Sequence, residues 1–360
     1  MFVWFINVLL CVAATGHRGS ALGPLRMSLQ SAPEGGCPVI DGGGTRNRFS
    51  YRITRSSDFE LVPHDMTGIY LQFSADHRVE FGRGTLPKDL GGQRLVRLLM
   101  SVRYAPGRRL PPGFFINLAR LRSLQLYNDA PNSERILLRL SKGAFDGLSE
   151  VVDLQLARLG IEDLPTGVFR GLRSICRLDL SQNRLAIIGS GVFQPPSVSI
   201  AAGLTENRCC RNLTTLLLGR NRFVDVANIR LGGLTSLRSA DLFGNAIARV
   251  ERGSFGGGLH PNSPVGGFAN VDQMNLGLNV IGQIEDRAFE GLVRLRILYL
   301  DGNMIHNVTA SAFSGLPELE TLDVGGNSIS ELWPGVFTPL TSLRTLRLAE
   351  NAMQTMQTGT

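Results

Sequence analysis

Asp179, Asp241 and Asp323 hold the same place in three similar stretches, RLDLSQN, SADLFGN and TLDVGGN. A row of carboxylates could hold a cation, or divide into a general acid and a general base. Those roles need groups that converge, and these three lie on separate turns of the chain, so they read as solvent-facing. Other catalytic signatures are missing: there is no HExxH, no GxSxG and no glycine-rich phosphate loop with its Lys. The five His are scattered, and no CxxC or Cys/His spacing suggests zinc. No catalytic residue, metal site or cofactor is expected, and the chain reads as a non-enzyme.

The carboxylates share a register because their surroundings repeat. Leu319, Leu322, Val324, Asn327, Ile329, Leu332 and Phe337 recur 24 residues upstream as Leu295, Leu298, Leu300, Asn303, Ile305, Val308 and Phe313. A further step back gives Val271, Met274, Leu276, Asn279, Ile281, Ile284 and Phe289. Other registers start at Leu343, Leu237, Leu213, Ile175 and Val151, and the Asn column fails only at Leu159. Neither a helical nor a strand period fits a whole unit, whereas a repeating coil does. The unit L-x-x-L-x-L-x-x-N-x-L resembles the leucine-rich repeat family. That resemblance implies an α/β solenoid, a horseshoe with a parallel β-sheet on its concave side and an irregular convex side. The L-x-L pair points inward from a short strand, the Asn amide satisfies buried backbone groups of the turn, and Phe145, Phe169, Phe193, Phe255, Phe289, Phe313 and Phe337 fill the space behind.

The segment MFVWFINVLLCVAATGHRGSALG is apolar from Phe2 to Ala14, then small-residue rich, as in a secretory signal peptide. Residues 1–21 are assigned to it, 22–68 to an N-terminal cap region containing the non-repeating stretch Gly35–Asp58, and 69–360 to the repeat array, regular from 151. No later apolar run reaches the roughly 18 residues of a membrane span. Export predicts oxidised cysteines: a bridge from Cys176 to Cys209 or Cys210 is expected, against free, partly buried thiols. Asn212-Leu-Thr214 and Asn307-Val-Thr309 are glycosylation sequons.

Three units break the beat. Those starting at Leu121, Ile175 and Leu237 are six, fourteen and ten residues too long, the second carrying QPPSVSIAAGLTENRCCR and the third GGGLHPNSPVGG. Insertions in a solenoid leave as surface loops. Weak early repeats, then GVFRGLRSICRLDLSQNRLAIIGSGVF, a loop closing on Cys209-Cys210, and NLTTLLLGRNRF resemble the N-terminal ectodomain of invertebrate Toll-like receptors across residues 69–360. The resemblance implies innate immune or developmental ligand recognition, with a span and signalling domain farther along. The last unit stops without its Phe or a cap, so a truncated array is expected. The alternative reading is a secreted or cell-surface adhesion or matrix-binding repeat protein.

With chemistry absent, the surface carries function. Residues flanking the L-x-L pair face the concave side: Gln155, Asp179, Leu217, Asp241, Asn275, Tyr299, Asp323 and Arg347, with Arg158, Arg220, Arg222, Phe243 and Leu278 in the next columns. No rule repeats along them, which suits a protein or mixed protein/glycan ligand, with receptor dimerisation a possible accompaniment. Leu217, Phe243, Leu278 and Tyr299 are apolar where polar residues are usual, and Arg220, Arg222, Asp241 and Asp301 rim them. These eight are the expected ligand-binding residues, bordered by the two long insertions. Ala21–Glu150 carries 18 basic against 12 acidic residues, net +6, and Val271 onward 5 against 10, net −5. Polyanion binding by the basic N-terminal part is the weaker expectation, because 35 of the 37 basic residues are Arg throughout.

Overall fold

A computed structural model describes residues 48–53, 68–73, 86, 90, 95–102, 108–128, 137–193, 209–255 and 267–353. The expected signal peptide, Cys37, and the insertions at 194–208 and 256–266 lie outside the described residues.

Each coil returns the chain in the same direction, so its strand pairs in parallel with the one before. Twelve strands form one sheet in chain order: Arg48–Ile53, Gly68–Phe73, Arg97–Ser101, Ser123–Tyr127, Asp153–Gln155, Arg177–Asp179, Thr215–Leu217, Ser239–Asp241, Gln273–Asn275, Ile297–Tyr299, Thr321–Asp323 and Thr345–Arg347. The first falls inside the stretch expected to be a cap. The register pairs Leu216 with Ala240, Met274 with Leu298, and Leu298 with Leu322, so the inward positions stack directly. Those central residues are buried while their strand neighbours, Asp323 excepted, are half-buried, because side chains alternate across a strand. Thr345–Arg347 has a strand on one side only among the described residues, and all three of its residues are exposed.

Behind the sheet the phenylalanines stack in two runs rather than one. Phe115, Phe145, Phe169 and Phe193 follow one another at 5.6–6.1 Å between ring centroids, as do Phe255, Phe289, Phe313 and Phe337 at 5.7–6.1 Å. The coil between them has no Phe at the equivalent place. It turns instead through a short 3-10 helix, Val226–Asn228, capped by Asp225 accepting from the Ala227 N–H. The far side otherwise carries short parallel strands, Arg249–Val250, Gln283–Ile284 and Asn307–Val308, and the pair Arg109–Leu110 and Arg139–Leu140. The described residues contain no α-helix, so the helical half of the expected α/β class is not seen there. The fold is a parallel-strand leucine-rich repeat solenoid.

Asn side chains tie coil to coil. The Asn303 amide donates to the carbonyls of Leu276 and Leu300 at 3.0 and 2.9 Å, and its carbonyl accepts from the Ile281 N–H at 3.1 Å. Asn183, Asn221, Asn245, Asn279 and Asn327 repeat the pattern. At Leu159, where the column fails, Asn183 of the next coil still donates to Leu156 O and accepts from both Leu159 and Ile161 N–H. The Leu138 N–H goes to the Leu159 backbone carbonyl.

Candidate functional site

The sheet's outer face is built of three rows. The middle row is the one expected from sequence: Gln155, Asp179, Leu217, Asp241, Asn275, Tyr299, Asp323 and Arg347 are paired in register. Its acidic and amide members have a structural task. Asp179, Asp241, Asn275 and Asp323 each accept, through one side-chain oxygen, the N–H two residues on, at 2.9–3.0 Å. Such bonds hold the chain in the turn that follows each strand. The shared Asp register is therefore first a turn device, and these carboxylates are less solvent-facing than expected: Asp241 is half-buried and Asp323 buried.

Two residues farther on lie Ser181, Gly219, Phe243, Gly277, Asp301 and Gly325, and beside them Gln182, Arg220, Gly244, Leu278, Gly302 and Gly326. Every residue of this last row has a left-handed backbone, with φ between 50° and 68°. Glycine takes it freely at 244, 302 and 326, whereas a side chain there costs roughly 1–2 kcal/mol. Arg220 and Leu278 hold that conformation and still present side chains to solvent, Leu278 at 43 % exposure. The glycines open room for them. A methyl on Gly302 would sit 2.5 Å from the Leu278 side chain, one on Gly277 would sit 2.7 Å from the Asp301 carboxylate, and one on Gly244 would crowd Arg220 at 3.2 Å. Arg220 also stands 5.9 Å over the Phe243 ring, within cation–π reach.

The structure thus brings Leu217, Arg220, Asp241, Phe243, Leu278, Tyr299 and Asp301 onto one continuous surface. Arg222 departs from it: following the buried Asn221, it lies on the flank beyond the Asn turn, its N–H bonded to Leu185 O. The flank adds apolar residues that the sequence reading did not select. Val224 is 56 % and Met304 48 % exposed, with Ala246 and Val280 half-buried between them. On earlier coils the same flank carries the ion pair Arg184–Glu162. Position relative to the Asn was the signal that could have found three of them, since Ala246, Val280 and Met304 each follow an Asn directly, whereas Val224 stands three residues after Asn221.

Electrostatics divide the face. Asp153, Asp272, Glu320 and Asp323 are each paired with an Arg of an adjacent coil: Arg177, Arg238, Arg296 and Arg347. Asp179, Asp241 and Asp301 have no such partner among the described residues. Burial pushes the Asp241 carboxyl above its usual range, opposed by the Phe243 N–H and reinforced by Asp179. Burial likewise raises Asp301, and the Asp323 charge adds to it. No three His, Cys, Asp or Glu side chains converge as a metal site among the described residues.

Cys209 is disulfide-bonded to its neighbour Cys210. Cys210 is left-handed, at φ 61°, and that turn brings together two side chains that an extended chain would point apart. Cys176 is disulfide-bonded as well. Peptide mapping without reduction is expected to find none of the three open to alkylation; a label on any one of them overturns the assignment. Asn212 and Asn307 are both exposed, Asn307 on a far-side strand. Neither lies in the rows just described.

The leucine-rich repeat family model matches residues 258–305 and 294–353. No curated protein matches the sequence. Among solved structures the chain is similar to TLR13 in the TLR13–ssRNA13 complex, with 22 % identity and a TM-score of 0.57 over 86 % of this chain and 44 % of that one. It is similar to the Toll–Spatzle complex of Drosophila at 16 % identity and a TM-score of 0.53, covering 84 % of this chain and 43 % of that one. It is also similar to an internalin, InlF, of Listeria monocytogenes at 17 % identity and a TM-score of 0.52, covering 84 % and 73 %. The chain spans less than half the length of the first two. At these identities the likeness is one of fold. No helix of the described residues is long and apolar enough to cross a membrane.

Proposed function

We propose that this leucine-rich repeat solenoid is the ligand-recognition module of an extracellular receptor, and that its partner is a protein. The partner docks on the sheet face and adjoining flank between Leu213 and Asp301. One observation carries the reading: Leu278 keeps an exposed apolar side chain in a left-handed conformation that the next coils give to glycine. Strain of that kind persists where the side chain has a use. Around it, Phe243, Leu217, Tyr299 and Met304 supply an apolar centre, and Arg220 and Asp301 a polar rim, the anatomy of a protein interface. Two solenoids of the same fold are known as ligand complexes, one with an RNA and one with the protein Spatzle. The carboxylates on this face disfavour a polyanion and favour a protein. Within the receptor class we favour a Toll-like ectodomain, acting in innate immune or developmental signalling on the outer side of the plasma membrane. The Cys209–Cys210 loop and the sequons Asn212 and Asn307 support an exported chain.

Truncating a true anchor typically costs 2 kcal/mol or more, roughly 30-fold in affinity. Phe243→Ala combined with Tyr299→Ala is expected to weaken the partner protein by about that factor while secretion and thermal stability stay intact. Leu278→Gly is the sharper variant. Relief of backbone strain offsets the entropy of the added glycine, so stability should move by less than about 1 kcal/mol while binding falls. Wild-type affinity in both variants would move the site elsewhere, first to the basic region Ala21–Glu150.

A further inference from the structure

Most carboxylates of the sheet face are neutralised from a neighbouring coil. Asp153, Asp272 and Asp323 meet Arg177, Arg238 and Arg347 at 3.7, 3.6 and 3.2 Å, and Glu320 bonds Arg296. Asp179, Asp241 and Asp301 break the rule, and they border the apolar surface already described. Their geometry leaves them open to something arriving from outside. One oxygen of Asp241 accepts the Phe243 N–H, and the other lies above Gly219, 3.5 Å from where a Cβ would stand. Asp301 lies above Gly277 in the same way. Each of these two carboxylates therefore stands beside the bare backbone of a glycine.

We propose that the ligand of this face is a cationic polypeptide segment, its Lys or Arg side chains set against Asp179, Asp241 and Asp301 and its apolar side chains covering Leu217, Leu278 and Tyr299. This deepens the protein-ligand reading above and rests on it. Charge complementarity chooses the occupant, because three half-buried carboxylates that form no ion pair among the described residues repel a polyanion and are incompletely compensated without a cation. Spacing narrows it further. Asp179 and Asp241 are two strands apart, about 9–10 Å at the usual strand separation, and two more strands lead to the coil of Asp301. An extended polyproline-type segment rises about 3.1 Å per residue, so every third side chain falls at that interval. The best-fitting ligand carries a cation at each third position with apolar residues between.

Binding of such a segment is linked to protons. Asp241 faces Asp179 and, over Phe243, Arg220; Asp301 faces Asp323 and Arg347. Both carboxyls titrate above the ordinary Asp range, and a bound cation favours their ionised form. Affinity is therefore full at neutral pH and lost as pH falls through the raised values.

The test uses the secreted chain and a synthetic peptide with Lys at every third position and Leu and Pro between. Its Glu counterpart and an isomer with Lys at every second position serve as controls, and binding is read by fluorescence anisotropy. The first peptide should bind at about pH 7.4, best of the three, and weaken by about tenfold in Asp241→Asn and again in Asp301→Asn, one charge-assisted contact each. Affinity for the wild type should also fall as the pH is lowered through the raised titrations of Asp241 and Asp301. The Asn side chain keeps the oxygen that accepts the Phe243 N–H, so unchanged thermal midpoints show that the fold survives. No binding at about 1 mM, equal binding of the Glu peptide, or indifference to both Asn variants overturns the proposal. Self-association of the wild type that both Asn variants abolish also overturns it, assigning the face to the basic half of a second copy. If Leu278→Gly weakens a protein partner while both Asn variants leave it untouched, the docking face stands and its cationic ligand falls.

Discussion

Phe289→Ala is expected to lower the stability of the chain by about 3–5 kcal/mol, the cost of a cavity left by a fully buried aromatic. Phe289 is fully buried and stacks between Phe255 at 5.7 Å and Phe313 at 6.1 Å, so its removal breaks one Phe run at its centre. No neighbour can swing into the gap, because both flanking rings are held by their own coils. In a solenoid each coil contacts only its neighbours, so the loss should open locally before it spreads. Hydrogen exchange should rise across coils 271–330 while the coils around Phe145 and Phe169 keep their protection. Phe289→Leu, which refills most of the volume, should recover much of the loss. A loss below about 1 kcal/mol for Phe289→Ala would mean that the two runs act as independent rings.

Asn303→Ala should cost about 2–4 kcal/mol, less than a count of its hydrogen bonds suggests. The carbonyls it serves are not orphaned by its loss: Leu276 O still receives Asn279 and Leu300 O still receives Asn327. What is left unpaired is the Ile281 N–H, a buried donor worth roughly 1–3 kcal/mol, together with the bonds forfeited and the small void. Asn303→Asp tests this division. It keeps an acceptor for Ile281 but turns an oxygen toward two carbonyls and buries a charge, so it should fall at least as far as Ala. Equilibrium denaturation of the three proteins decides the matter. If Asp proves clearly more stable than Ala, the donor bonds matter little and the orphaned N–H accounts for nearly all of the cost. The chain already contains a related case in Leu159, where a coil without its Asn survives because Asn183 serves two N–H groups and a backbone carbonyl serves Leu138.

The repeat register, the inward Leu positions, the Asn column and the middle row of the face could all be read from the sequence. They follow from a short-range rule applied once per coil: a side chain two residues along a strand returns to the same side, and a coil of fixed length returns the chain to the same place. Gln155, Asp179, Leu217 and Asp241 could thus be aligned without knowing any distance. The tertiary structure decided what depends on the neighbouring coil. Whether Asp323 is neutralised and Asp301 is not depends on Arg347 standing one coil away and on what each carboxylate lies over. Leu278 differs from an ordinary exposed Leu only because its φ is left-handed and Gly302 lies beneath it. Met304 joined the surface because the chain turns after Asn303 and carries the following residue onto the flank, whereas Val224 reaches it three residues after Asn221. Cys209 met its neighbour Cys210 because one left-handed residue set the direction of two side chains. Each of these is a contact across coils or a sign of a backbone angle, and a periodic pattern fixes which coil a residue belongs to without fixing either.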